Sequence, residues 1–291
     1  MKINEILNYN ANNEENFKEL IDNIDNVIPF VGAGMSAFSY PTWGEYLRNC
    51  INDDLFKEEE KEEIESKINE KDYESAADKI SEISGHNFFI KNLTRTYAFE
   101  KINEELDKEA VKKLPLIFRK AIITTNFDRV LEKVYQNNPF IHTVYPGQTS
   151  LEVSGIQRDV HLLFKIHGDI SYTDSIIFTK EQYENNYGRG NIDFTKALPK
   201  LLLSIFKSRA MLFLGCSLEE DRTMKVLDSL TNEVTGLMHF AFMQKSSDLD
   251  EYRKLNSILD KHNIYPIWYP EGKYECIGVL LDEIIKRQKK N

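Results

Sequence analysis

Cysteine, long apolar runs and positive charge are all scarce in this sequence. The three cysteines, Cys50, Cys216 and Cys276, lie far apart, which excludes a disulfide framework and a four-cysteine zinc site. The N-terminal segment 1–17 contains no apolar core, so no secretory leader is expected. No stretch approaches the roughly 18 consecutive apolar residues that a transmembrane helix needs. These absences predict a cytoplasmic protein of a reducing compartment, without a membrane segment.

Acidic side chains outnumber basic ones. The 291 residues include 47 Asp and Glu against 37 Lys and Arg, a formal net charge of -10. An acidic chain with no basic stripe is not expected to bind nucleic acid directly. Hydrophobic residues make up 41% and charged residues 29%, which is typical of a globular protein.

Short apolar runs alternate with helical patterns along most of the chain. This alternation predicts an α/β fold, a Rossmann-like and mostly parallel sheet with helices on both faces. The expected strands are 27–31, 121–124, 162–166, 210–214, 238–243 and 264–269. The expected helices outside the region 42–113 are 14–25, 128–135, 179–187, 193–207, 219–230, 248–261 and 274–288.

Residues 42–113 have a different texture, with amphipathic helical stripes and almost no strand signal. Thr42 is expected to cap a helix that runs through Cys50, and the charge run 57–65 is expected to be a solvated helix face. We find no internal repeat and no low-complexity linker. The sequence therefore predicts one domain over 1–291, with an α/β core of 27–41 and 114–291 and a helical insertion at 42–113.

Polar motifs follow four of the predicted strands directly. In open parallel sheets, ligands bind outside the carboxyl ends of the strands, so these motifs are expected to line one crevice. They are Gly32-Ala33-Gly34-Met35-Ser36-Ala37, Thr125-Asn126-Phe127-Asp128, His167-Gly168-Asp169 and Gly215-Cys216-Ser217.

The first of these motifs, Gly32-x-Gly34-x-x-Ala37, matches a relaxed dinucleotide-binding fingerprint. Its glycines would let the backbone turn tightly and approach a pyrophosphate. A glycine turn without any ligand is the alternative. A dehydrogenase also needs a second strand that ends in Asp or Glu about 20 residues further on. The window 52–60 is polar and helical instead, which excludes an ordinary dehydrogenase.

Three polar side chains in the other motifs are candidates for chemistry. With an ordinary imidazole pKa of about 6.5, His167 would serve as a general base at neutral pH. The amide of Asn126 can orient a carboxamide, a ribose hydroxyl or a water, and the alternative is a turn-forming role. Asp128 can supply negative charge or merely cap the helix that follows it.

Together the motifs GAGMS, TTNFD, KIHGD and FLGCS resemble the NAD-binding core of sirtuins, and more specifically the sirtuin-like domains of bacterial antiphage defence proteins. The segment Tyr40-Pro41-Thr42-Trp43 is also similar to that subgroup. The resemblance runs from about residue 27 to residue 270, with the motifs in the same order.

The resemblance implies NAD+ as the substrate and assigns its contacts. Ala33, Gly34 and Ser36 would contact the phosphates and ribose, while Gly215 and Ser217 would line the adenosine end. The full set of expected NAD-binding residues is Gly32, Ala33, Gly34, Ser36, Thr125, Gly215 and Ser217.

The resemblance also assigns the catalytic roles. Asn126 and Asp128 would hold the nicotinamide side or position the attacking water, and His167 would be the general base that activates a ribose hydroxyl.

Two departures from the deacylating sirtuins change the expected reaction. Those proteins carry a four-cysteine zinc module and a Pro-x-Phe-Arg element after the glycine loop, and this chain has neither, so no zinc is expected. Because the zinc module helps to build the acyl-lysine groove, water becomes the expected nucleophile. The resemblance then implies hydrolysis of NAD+ to nicotinamide and ADP-ribose, as NAD depletion in antiphage defence, with a protein deacylase as a less favoured alternative.

Unchecked NAD hydrolysis would kill the host cell, so the activity is expected to be gated. Stand-alone subunits of this kind resemble those that act with a HerA-type ATPase, which implies such a partner or a homo-oligomer. The helical region 42–113 is the expected contact surface, unless it only covers the sheet. A catalytically silent NAD or ADP-ribose sensor that recruits a partner is the alternative from a different functional class.

Overall fold

A computed structural model describes residues 1–146, 160–218, 222–229 and 237–289, and seven strands within these ranges form one sheet. The strands are β1 (Val27–Val31), β2 (Ile122–Thr124), β3 (His142–Val144), β4 (Leu162–Lys165), β5 (Ala210–Leu214), β6 (His239–Lys245) and β7 (Ile264–Pro270). Their order is β3-β4-β2-β1-β5-β6-β7, and every neighbouring pair is parallel.

Helices flank this sheet, and five of them, α3 to α7, separate β1 from β2. The helices in the described ranges are α1 (Ile3–Leu7), α2 (Asn13–Asp22), α3 (Trp43–Ile51), α4 (Glu58–Asn69), α5 (Tyr73–Ser84), α6 (His86–Thr96), α7 (Leu114–Ile117), α8 (Val130–Val134), α9 (Lys180–Tyr187), α10 (Ala197–Ser208), α11 (Arg222–Asp228), α12 (Leu249–Lys261) and α13 (Glu275–Gln288). None of these helices combines the length and the apolar content that crossing a bilayer requires.

The strands are apolar on both sides, as strands of a covered parallel sheet must be. On one face, Ile122, Leu163 and Leu212 share a core with α2, α13 and the helices α3 to α6. On the other face, Ile123 and Phe213 pack against α9 to α12. The insertion therefore shares mainly the hydrophobic core of one face, while Trp43 and Glu74 also contact the helices of the other face.

The α/β fold with its helical insertion is confirmed. Each of the six predicted strands is present, and α3 begins after Thr42, whose N–H and hydroxyl donate to Glu45 at 2.7 Å. The edge strand β3 was not predicted, because it has three residues and a half-exposed face. The predicted helix 14–25 ends earlier, at Asp22, and the predicted helix 219–230 lies partly outside the described residues.

The sheet order places β1 at a topological switch point. From β1 the chain moves outward through β2 on one side and later returns to β5 on the other. The carboxyl ends of strands beside such a reversal form a natural binding crevice. The polar motifs that follow β1, β2, β4 and β5 therefore share one edge of the sheet.

Candidate active site

The glycine turn after β1 packs directly against the turn after β5. Gly34 donates its backbone N–H to the carbonyl of Gly215 at 3.0 Å. A Cβ on Gly32 would lie 2.5 Å from that same carbonyl oxygen. Gly215 has a φ of +64°, and its own Cβ would lie 2.6 Å from the nitrogen of Met35. Only glycine permits the two turns to lie so close together. The glycines therefore join the end of β1 to the end of β5, and they also leave room at the surface of the turns.

The turn also satisfies its own backbone. Met35 donates its N–H to the carbonyl of Gly32 at 3.1 Å, and Ser36 donates to the carbonyl of Ala33 at 2.9 Å. With Gly34 engaged by Gly215, three of the N–H groups expected to meet a pyrophosphate already have protein partners. Phosphate contact through these groups would require the turn to rearrange.

Asn126 connects the motif after β2 to the glycine turn. Its side-chain nitrogen donates to the carbonyl of Gly32 and to the hydroxyl of Ser36, each at 3.2 Å. Its backbone N–H donates to the hydroxyl of Thr124 at 3.0 Å, which fixes the direction of the turn. The side chain is 8% exposed, so the amide lies at the floor of the site.

Asp128 performs the capping role and also belongs to the site. Its carboxylate accepts the N–H of Val130, the first residue of α8, at 2.9 Å, and it accepts a hydrogen bond from Ser36. Burial raises the pKa of the Asp128 carboxyl, while the positive charge of Lys165 acts in the opposite direction. Asp128 therefore supports the start of α8, whereas its burial opposes the negative charge that the other interpretation requires.

His167 lies at the end of β4 with its ring turned toward α9. Its Nε2 is 2.9 Å from the hydroxyl of Tyr187, and its Nδ1 is 3.3 Å from the hydroxyl of Tyr183. Burial among these rings lowers the pKa of His167 to about 3, so the ordinary imidazole pKa does not apply in this arrangement. The imidazole is neutral at pH 7 and has tyrosines as partners.

The remaining candidates are spread along the same edge. Ala33, Gly34 and Ser217 are exposed, Ser36 is buried, and Thr125 and Gly215 are half-buried. The motifs after β2 and β4 meet through the backbone, where Ile170 donates to the carbonyl of Phe127 at 3.2 Å. The edge thus brings the glycine turn and Asn126 into direct contact, whereas the ring of His167 faces Tyr183 and Tyr187 of α9.

Sequence reasoning missed the buried Lys165 and the two tyrosines around His167. Each had a signal. A lysine inside the otherwise apolar run LLFKI is unusual, and Tyr183 and Tyr187 are spaced to share one face of a helix. What the sequence lacked was any indication that Lys165 contacts the residues after β2 and that the two tyrosines contact His167.

Two surface pockets lie away from this edge. A pocket of about 570 Å³ lies between α1 and α13, and a second pocket of about 250 Å³ lies among α3, α5 and α6. Neither includes a residue of the four motifs. Within the described ranges, no three His, Cys, Asp or Glu side chains come together as metal ligands would.

Comparison with known proteins identifies one matching family and several curated relatives. Residues 120–267 match the SIR2-like domain family. The chain is 26% identical over 285 residues to the NAD(+) hydrolase ThsA of Cytobacillus dafuensis, covering 90% of this chain and 53% of that protein. It is 28% identical over 239 residues to the ThsA of Acinetobacter baumannii, covering 80% and 45%, and 25% identical over 233 residues to that of Bacillus cereus, covering 78% and 44%.

The chain spans about half the length of the curated relatives it matches. The family match itself covers about half of this chain and extends from β2 into β7, so it includes Asn126, His167 and Gly215. Because this match covers half of the chain and includes three of the four sheet-edge motifs, the chain belongs to the SIR2-like domain family.

Proposed function

We propose that this protein hydrolyses NAD+ at the nicotinamide–ribose bond and releases nicotinamide and ADP-ribose. The observation that carries this proposal is the contact of Asn126 with Gly32 and Ser36, which joins a water-orienting amide to a glycine turn at the switch point of the sheet. The names of the three relatives, all NAD(+) hydrolases, support the same reaction.

The chemistry suits the residues present. Cleavage of an N-glycosidic bond develops positive charge on the ribose, and nicotinamide leaves without needing a strong acid. The carboxylate of Asp128, when ionised, would favour that charge, and Asn126 would align the attacking water. His167 would accept a proton once its ring is released from Tyr187. Gly32, Ala33, Gly34, Ser36, Thr125, Gly215 and Ser217 would hold the dinucleotide.

The closed geometry supports a gated enzyme. Asn126 and His167 are 8% and 7% exposed, and the N–H groups of the glycine turn are already engaged. NAD+ would therefore need an opening of this edge before it reacts. We infer that a homo-oligomer or a HerA-type ATPase partner provides the opening, through the insertion of residues 42–113. Depletion of the cell's NAD+ in antiphage defence, from the cytoplasm, would be the outcome.

The single-domain organisation proposed from the sequence has support in the packing. Ile64, Ile80 and Phe89 of the insertion belong to the same hydrophobic cluster as Ile122 and Leu163 of the sheet. A partner bound to the insertion would therefore act on a surface that is continuous with the site.

One observation also fits a second function. A histidine whose ring nitrogens both meet tyrosine hydroxyls is as consistent with a silent NAD or ADP-ribose sensor as with a resting enzyme. A deacylase is less favoured, because the three cysteines are scattered and a zinc-supported peptide groove needs four together.

Product analysis separates these functions. The full chain, alone and together with a co-expressed HerA-type ATPase, is incubated with NAD+ and the products are resolved by chromatography. We expect nicotinamide and ADP-ribose in equal amounts, and none from the Asn126→Ala variant. Intact NAD+ bound to the protein would indicate the sensor, and acylated ADP-ribose formed only with an acylated peptide would indicate the deacylase. An unchanged rate and no complex with the ATPase would contradict that partner.

A further inference from the structure

The proposed reaction makes no use of Lys165, a charged side chain at the end of β4 that is 1% exposed. Its ammonium nitrogen donates to the backbone carbonyl of Asp128 at 2.5 Å and to that of Phe127 at 3.2 Å. It also lies 2.5 Å from the carboxylate of Asp169, which is 1% exposed, and 3.4 Å from that of Glu132. One buried cation therefore holds the turn after β2 and the turn after β4.

A lysine is a costly choice at this position. The neighbouring strand residues Leu163 and Phe164 are fully buried in the two hydrophobic cores, and an apolar side chain at 165 would fill the same space without desolvating a charge. A buried ion pair is weak evidence for stability, and in some proteins such a pair is retained because it specifies one arrangement of the groups that it joins. The role of the Lys165 charge is therefore explained by the groups that it aligns, the turns after β2 and β4.

The two turns aligned by Lys165 carry the residues of the proposed chemistry. Asn126 and Asp128 flank Phe127, whose carbonyl accepts both the Lys165 ammonium and the N–H of Ile170. On the other side, His167 lies midway in sequence between Lys165 and Asp169, the two members of the ion pair. The Asp169 carboxylate additionally accepts the N–H of Ser171 at 2.6 Å, so the turn after His167 is tied down at both ends.

We propose that Lys165 is a positioning residue that keeps the Asn126 turn in register with the His167 turn for the attack on NAD+. This inference rests on the proposed hydrolysis. Lys165 itself would contact no substrate, because its ammonium group is enclosed by the carbonyls of Phe127 and Asp128 and by Asp169.

The test compares three variants of the full chain. Lys165→Met removes the charge at similar length but leaves Asp169 buried without its partner, which endangers folding. The double variant Lys165→Met with Asp169→Asn removes both charges and keeps an acceptor for Ser171. Lys286→Met is the control, because Lys286 also pairs with a carboxylate, that of Glu283 at 3.2 Å, but lies on α13, outside the proposed site and the insertion.

Two measurements test whether Lys165 aligns the Asn126 turn with the His167 turn. We expect the turnover number of the folded double variant to fall about 10- to 100-fold with less than about a threefold change in KM, since displacing a reacting group by roughly 1 Å has such a cost. We expect amide hydrogen exchange to speed up in peptides covering 125–130 and 167–172. The control should change neither.

A double variant that is less stable but turns over NAD+ at the wild-type rate would overturn the inference, because a merely structural lysine predicts that result. Unchanged exchange in both peptides would overturn it as well. If wild-type protein with its partner cleaves no NAD+, the proposed function fails, whereas the exchange measurement still decides whether Lys165 aligns the two turns.

Discussion

The side-chain amide of Asn126 donates a hydrogen bond to the backbone carbonyl of Gly32 across 3.2 Å, although 94 positions separate the two residues in the chain. This contact joins the ends of two neighbouring parallel strands. It places a neutral amide, able to donate and accept, at the point where the sheet order reverses.

Replacing Asn126 by alanine should abolish most NAD+ cleavage. The variant loses the group that aligns water, and positioned catalytic groups contribute about 10²–10⁴-fold. It also loses the bonds to Gly32 and Ser36, so the free energy of unfolding should fall by about 1–3 kcal/mol. Nicotinamide release and urea unfolding measure the two effects. The control is Asn23→Ala, which removes a side-chain hydrogen bond to the carbonyl of Glu19 on α2. Full turnover in Asn126→Ala would falsify the site.

His167 should make the protein less stable in mild acid. Burial lowers the pKa of His167 to about 3, whereas the same imidazole in the unfolded protein has a pKa of about 6.5. Between these values the unfolded state binds more protons, so the free energy of unfolding falls as the pH falls, by at most about 1.4 kcal/mol per pH unit.

A His167→Asn variant should show a flatter dependence between pH 6 and pH 4, within the interval set by the shifted pKa of His167. Burial also lowers the pKa of His239, to about 4, so the wild type retains some pH dependence from that residue. The measurement is therefore the difference in the free energy of unfolding between wild type and variant, obtained from urea unfolding at each pH. His239→Asn serves as the comparison. Identical slopes for wild type and His167→Asn would show that the ring is solvated rather than enclosed by α9.

Gly215→Ala should be more damaging than Gly272→Ala. The two glycines have similar φ values, +64° and +71°, so backbone strain is alike, at roughly 1 kcal/mol. Only at Gly215 would the new Cβ meet another backbone, 2.6 Å from Met35, whereas the space at Gly272 is open. Chemical unfolding of both variants isolates the steric cost, and equal losses would mean that the turns of β1 and β5 are not in contact.

The ion pair between Arg222 and Glu74 should stabilise the attachment of the insertion to the core. Both guanidinium–carboxylate bonds are close, at 3.1 and 3.0 Å, and the side chains are 9% and 22% exposed. Glu74→Gln should lower the free energy of unfolding by about 1–3 kcal/mol.

The matched control is Glu65→Gln, which weakens the exposed pair with Arg48, 44% and 39% exposed. Such a surface pair contributes less than about 1 kcal/mol. Thermal or urea unfolding of both variants gives the comparison. A smaller loss for Glu74→Gln than for Glu65→Gln would contradict the burial of the Arg222 pair.

Prediction from sequence succeeded where the pattern is local. The run Val27–Val31 is apolar at every position, too short for a helix and ended by Gly32, which is typical of a strand covered on both sides. It failed for His142–Val144, where only Val144 is buried, three residues show no apolar periodicity, and the strand exists because it pairs with β4. A short edge strand takes its structure from its neighbour.

The sequence by itself determined the layered α/β fold and the placing of the four polar motifs at one edge, because parallel strands all end on the same side of their sheet. Only the tertiary structure decided what each motif faces. Tyrosines of α9 enclose His167, Gly215 occupies the N–H of Gly34, and Lys165 reaches two turns at once. These contacts join residues that are close only after the helices pack, and no spacing along the chain encodes that packing.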